Sequence, residues 1–62
     1  MPYIRISYLE GKSEEQIEKL AAAITDSVAE IFKVKDKSHI WIQFEEMPKN
    51  RFAQSGVLRS KQ

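Results

Sequence analysis

One amphipathic stripe, set between two alternating runs, limits what this chain can fold into more than any other feature. Ser13-Glu14-Glu15-Gln16 has the form of a capping box. In such a box the Ser13 hydroxyl accepts from the Gln16 backbone N–H, and the Gln16 side chain reaches back to the Ser13 N–H. Behind it stand Ile17, Leu20, Ala21, Ile24, Val28, Ile31 and Phe32, a spacing that fills one side of a helix with 3.6 residues per turn. Glu14 and Glu15 suit the positive end of the helix dipole, and Lys33, Lys35 and Lys37 suit the negative end. Glu15 and Lys19 form an i,i+4 pair on the polar side. These signals predict a helix from Ser13 to Phe32.

On either side the period changes from that of a helix to that of a strand. Residues 2–9 put Ile4, Ile6 and Tyr8 on one face and Tyr3, Arg5, Ser7 and Leu9 on the other. Pro2 is tolerable at the first position of such a run, and Glu10-Gly11-Lys12 ends it. A second run from His39 to Glu45 puts Ile40, Ile42 and Phe44 on one face and His39, Trp41, Gln43 and Glu45 on the other. Met47-Pro48-Lys49-Asn50 reads as a turn. The tail holds Phe52, Gly56, Val57 and Leu58, enough for a short strand or hairpin.

Strand, helix, strand points to an α+β chain built on one β-α-β unit, with parallel strands and a right-handed crossover. The helix would cover the face bearing Ile4, Ile6, Ile40, Ile42 and Phe44. Two strands half covered by one helix are too little to stand alone, so the second face is expected to meet another subunit. Composition leads the same way. The 62 residues make one domain, 1–62, and a chain so short usually needs disulfides, a structural metal or oligomerisation. With no cysteine and a single histidine, oligomerisation is what remains. At 42% hydrophobic the chain has apolar surface for both a core and an interface.

A formal net charge of +1, from ten basic and nine acidic residues, argues against a nucleic-acid binder. No apolar run approaches the ~20 residues of a membrane span. Arg5, Glu10 and Lys12 interrupt any signal-peptide core, so the expected location is the cytoplasm. Phosphate loops and Ser/His/Asp or Cys/His pairings are absent from the sequence. The residue that stands out is Pro2. Removal of Met1 would leave it as the first residue, with a secondary amine able to accept a proton. Free α-amino groups titrate at roughly 7.7–8.0, and burial or nearby cations lower that value toward the range useful to a general base. The plain alternative is a proline that merely starts a strand.

The context of Pro2 tips the balance. Pro2 opening an apolar strand, followed by Leu9-Glu10-Gly11-Lys12-Ser13-Glu14-Glu15-Gln16, resembles the 4-oxalocrotonate tautomerases. So do Glu45-Glu46-Met47-Pro48-Lys49 and the later Phe52 and Gly56. The resemblance spans nearly the whole chain. It implies a β-α-β fold, dimers with a four-stranded sheet, and three dimers in a homohexamer. It also implies an isomerase without cofactor or metal, in which the prolyl nitrogen moves a proton on a small enol or 2-oxo carboxylic acid while cationic side chains hold the carboxylates.

Carried over by residue, the resemblance makes Pro2 the base, Lys12 a substrate-binding cation and Phe52 part of the apolar wall. Lys12 stands where the family has arginine and lacks the bidentate fork. Trp41 stands where the family has a second arginine, and would offer an indole N–H and a flat wall suited to a monoacid or an aromatic enol, with packing at a subunit interface as the equal alternative. Arg51, or failing that Arg5, is a candidate for the missing charge, with a solvated surface role as the alternative for both. His39 is expected at an exposed strand start. Two other functions stay open. One is a hydratase, dehalogenase or decarboxylase on the same fold, and the other is a non-catalytic oligomer that binds a small acid.

Overall fold

The computed structural model describes residues 2–62. Strand β1 spans Tyr3–Leu9, helix α1 Glu14–Phe32 and strand β2 Trp41–Met47. A hairpin of β3, Ala53–Gln54, and β4, Val57–Leu58, follows. Short 3-10 turns occupy Lys37–His39, Lys49–Arg51 and Arg59–Lys61. The chain is thus the expected α+β arrangement, one β-α-β unit with a C-terminal hairpin.

Helix α1 begins where the capping box places it. The Gln16 N–H donates to Ser13 Oγ at 3.2 Å, and the Ser13 N–H donates to Gln16 Oε1 at 2.9 Å. It ends at Lys33, which takes a left-handed conformation with φ 60, while the Val34 N–H closes the last turn on the Ala29 carbonyl at 3.0 Å. Strands β1 and β2 pair in parallel, with Tyr3 opposite Trp41, Ile4 opposite Ile42, Ile6 opposite Phe44 and Leu9 opposite Met47. Ile4, Ile6, Ile42 and Phe44 are half-buried, as are Ile17, Ala21, Ile24 and Val28 of the helix, so the two apolar sets cover each other. The Tyr8 and Phe44 rings meet edge to face with centroids 6.4 Å apart.

Two boundaries differ from the sequence expectation. β2 starts at Trp41 rather than His39, because Asp36 draws the preceding residues into a turn. The Asp36 carboxylate accepts from the Ser38 N–H at 3.0 Å and the Ser38 hydroxyl at 2.7 Å, and the His39 N–H donates to the Asp36 carbonyl at 3.0 Å. β2 also continues through Met47, whose carbonyl accepts from the Glu10 N–H at 3.0 Å. The ladder stops only at Pro48, which has no N–H to give. The helical stripe is also less covered than its spacing implies. Ile31 and Phe32 are 70% and 67% exposed, and Leu20 is exposed on the flank. At ~1.5 Å per residue the helix is about 28 Å long, whereas seven strand residues at ~3.3 Å span about 23 Å, so its last turn overhangs the sheet.

Among the described residues Ile40, 8% exposed, is the only buried apolar side chain, and none is completely covered. The radius of gyration is 14.8 Å, against about 11 Å for a compact chain of this length. The accessible surface of 5042 Å² exceeds the ~4100 Å² of a compact monomer of this mass. One chain is therefore a half-finished body. No described helix is long and apolar enough to cross a membrane.

Candidate active site

Pro2 lies at the N-terminal end of the parallel sheet, half-buried, and the Trp41 N–H donates to its carbonyl at 3.0 Å. The strand pairing thus sets Pro2 beside the start of β2. The removal of Met1 expected from the sequence lies outside the described residues. On the sheet face away from α1, Tyr3 and Trp41 stand opposite one another, 55% and 56% exposed. The Trp41 indole does not offer its N–H outward, as the sequence led one to expect, because that group donates to the Ser38 carbonyl at 3.1 Å. The same turn that delays β2 uses the donor, and what Trp41 presents is the flat ring.

Below the two rings, the same face is a polar ladder. The Tyr3 hydroxyl donates to Gln43 Oε1. Arg5 Nη2 lies 2.7 Å from Glu45 Oε2, and the Ser7 hydroxyl donates to Glu45 Oε1 at 3.2 Å. The hydrogen bond from Arg5, and then its charge, holds the Glu45 carboxyl below the usual carboxylate range, while Glu45 raises Arg5 further by the same contacts. Arg5 is therefore already engaged by Glu45. His39 sits exposed in the 3-10 turn, with Nε2 3.7 Å from Asp36 Oδ2. The Asp36 carboxyl is itself held low, chiefly by the Ser38 hydroxyl and then by the Ser38 N–H.

Lys12, Arg51 and Phe52 belong to the other end of the sheet. Gly11, with φ 120, turns the chain out of β1, and Lys12 follows, exposed. The Lys49 N–H donates to Glu10 Oε2 at 2.9 Å, which ties the turn after β2 to the loop after β1. In that turn the Arg51 N–H donates to the Pro48 carbonyl at 2.8 Å, and Arg51 Nη1 donates to the Asn50 carbonyl at 3.0 Å. Phe52 is half-buried, and its carbonyl accepts from the Arg59 N–H at 2.7 Å. The full seven-residue length of β1 separates this group from Pro2, at least ~20 Å at ~3.3 Å per residue. One chain brings Pro2 to Trp41, and Lys12 to the level of Arg51 and Phe52, but it does not bring the two groups together.

Two features escaped sequence reasoning, the Glu10 tie to Lys49 and the Arg5–Glu45–Ser7 cluster. Both depend on the register of β1 against β2. Alternation shows which residues share a face but not which of them meet across the strands.

With this arrangement in place, the similarities to known proteins are direct. The family model described as tautomerase enzyme matches residues 2–62. A probable tautomerase of Lactiplantibacillus plantarum is 37% identical over 60 residues, covering 97% of this chain and 92% of the relative. The crystal structure of YwhB, a homologue of 4-oxalocrotonate tautomerase, superposes with a TM-score of 0.89 at 31% identity over 98% of both chains. A heterohexamer 4-oxalocrotonate tautomerase from Chloroflexus aurantiacus gives 0.86 at 30% identity, over 98% of this chain and 97% of that one. Strands, helix and hairpin all fall within matches of this length, and the chain belongs to the tautomerase family.

Proposed function

We propose that this chain is a cofactor-independent keto–enol tautomerase of small enol acids, an isomerase whose general base is the Pro2 nitrogen once Met1 has been removed. The observation that carries this is the place of Pro2. It opens the residues matched to the family and sits half-buried at the sheet end, with its carbonyl held by Trp41. An amine there, free of the preceding peptide bond, has a lone pair for a proton. It takes the proton of the enol hydroxyl, whose electrons close the C=O bond, and the C=C pair takes that proton back at carbon. No oxidant, reductant or metal enters the balance. Lys12, with Arg51, holds the substrate carboxylate, and Phe52 and Trp41 line the apolar part.

Because Pro2 and Lys12 lie at opposite ends of one sheet, the proposed site takes Pro2 from one copy of the chain and Lys12 from another. The 62 residues serve as one tautomerase-like domain, assembled as a homohexamer of three dimers, each with a four-stranded sheet. The expanded single chain and its one buried side chain among the described residues support an obligate assembly, as does the heterohexamer architecture of the Chloroflexus relative.

The test is ketonisation of phenylenolpyruvate and of 2-hydroxymuconate by protein whose intact mass begins at Pro2. Turnover is expected to vanish in Pro2→Ala and to fall as pH drops and the amine takes up a proton. Protein that begins at Pro2 yet turns over no enol acid would overturn the proposal.

A further inference from the structure

The loop carrying Lys12 is fixed on both sides of that residue by hydrogen bonds that do not involve its own side chain. On the C-terminal side, the capping box locks Ser13 to Gln16 at 2.9 and 3.2 Å. On the N-terminal side, Glu10 holds two partners, one at the end of β2 and one just beyond it. Its N–H donates to the Met47 carbonyl at 3.0 Å, and its carboxylate accepts from the Lys49 N–H at 2.9 Å. Lys49 opens the 3-10 turn that leads into Phe52, and Pro48 before it supplies no side-chain cap. Glu10 thus fills the capping role from 39 residues away in sequence. The two short loops have no other contact of this kind among the described hydrogen bonds, and each bears residues of the proposed substrate-binding group.

We infer that Glu10 is a positioning residue: its carboxylate clamps the Arg51–Phe52 turn to the Lys12 loop and so fixes the spacing between the carboxylate-binding cation and the aromatic wall. This rests on the tautomerase reading for the identity of the ligand, but not for the existence of the clamp. Glu10 touches no reacting atom in this scheme. It supports the binding side chains and makes no hydrogen bond to the base, so its loss weakens binding and leaves the proton transfer alone. Its negative charge also lies two residues from the cation that receives an anionic substrate. That charge opposes binding, so the accepting oxygen is what matters. An amide oxygen can accept the same bond, and a methyl group cannot.

The experiment compares Glu10→Ala with Glu10→Gln, and Lys49→Pro with Lys49→Ala. Proline at 49 removes the donating N–H at a position where a helical turn tolerates it. Pro48, at φ −63 and ψ 146, already has the extended conformation required before a proline. Alanine at 49 removes the same side chain and keeps the N–H. For phenylenolpyruvate, Glu10→Ala and Lys49→Pro are expected to raise KM about tenfold with kcat within about twofold. Glu10→Gln and Lys49→Ala stay near the parent, and Glu10→Ala with Lys49→Pro costs no more than either alone. An unchanged KM in Glu10→Ala overturns the inference, as does equal damage in Glu10→Gln, or a fall confined to kcat.

If Glu10→Ala does not assemble, the Lys49 pair decides alone, on the same criteria. If the parent turns over no enol acid, the tautomerase reading falls. The clamp is then read from the Kd of phenylpyruvate, followed through the fluorescence of the one tryptophan. A Kd about tenfold weaker in Lys49→Pro than in Lys49→Ala upholds it, and equal Kd values overturn it.

Discussion

In the proposed site, Lys12 and Trp41 are the two positions expected to decide which acids are held. A lysine at 12 supplies charge without the planar fork that grips a carboxylate through two parallel bonds. At 41 there is no charge, and the indole N–H is already given to the Ser38 carbonyl. Lys12→Ala is expected to raise KM for a monocarboxylate enol by about tenfold or more, with kcat much less affected, in steady-state assays. Trp41→Arg is expected to shift preference toward a dicarboxylate, read as the ratio of kcat/KM for 2-hydroxymuconate and phenylenolpyruvate. A ratio unmoved by that change would remove position 41 from the site. Residue 45 governs a different property. Arg5 lowers the carboxyl pKa of Glu45, so the stabilisation is complete above the unfolded value of about 4.3 and is lost as pH falls through the lower folded value. Thermal melts from pH 7 to 3 should therefore show an acid-side decline, and Glu45→Gln should make it shallower. Pro2 stands out as a candidate by residue type and position, and Lys12 and Phe52 become candidates only through the resemblance to the family. The Arg5–Glu45 contact could not, since it exists only in one register of the two strands.

The capping box marks the start of α1 in the sequence itself, because Ser13 and Gln16 satisfy each other's backbone groups within four residues. Local chemistry of that kind is written in sequence. β2 shows the limit. Its alternation extends back to His39, but Asp36 competes for the Ser38 and His39 N–H groups and delays the strand by two residues. Ser13→Ala is expected to cost about 1 kcal/mol of stability, measured by denaturant titration at fixed protein concentration, whereas Ser13→Asp should cost little. The hairpin turns on Ser55 and Gly56, with φ 55 and 80. Both central residues are left-handed, which is the turn that favours Asn-Gly. Ser55→Asn should raise stability by up to about 1 kcal/mol, and Gly56→Val should lower it. Loss of stability in Ser55→Asn would mean the turn is held by contacts other than its own backbone.

At the scale of the whole molecule, the single chain leaves Ile31, Phe32, Tyr3 and Trp41 exposed and, among the described residues, buries only Ile40. A chain in that condition gains stability from its copies, so melting temperature is expected to rise with protein concentration, and light scattering to give a multiple of 7.2 kDa. A concentration-independent melt of a 7.2 kDa species would show that the chain stands alone after all. The expectation of partners comes from the missing cysteines and the half-covered sheet, whereas their arrangement is not legible in sequence, because alternating faces do not say which copy each one meets. The strand length between Pro2 and Lys12 has a further consequence. Two impaired variants, Pro2→Ala without turnover and Lys12→Ala with weakened binding, should restore wild-type sites when unfolded together and reassembled, read as turnover at substrate concentrations below the raised KM of Lys12→Ala. At sites shared between copies, random mixing reunites an intact Pro2 with an intact Lys12 in roughly a quarter of cases. A defect in one gene copy could then be masked by a different defect in another, which is complementation inside a single small protein.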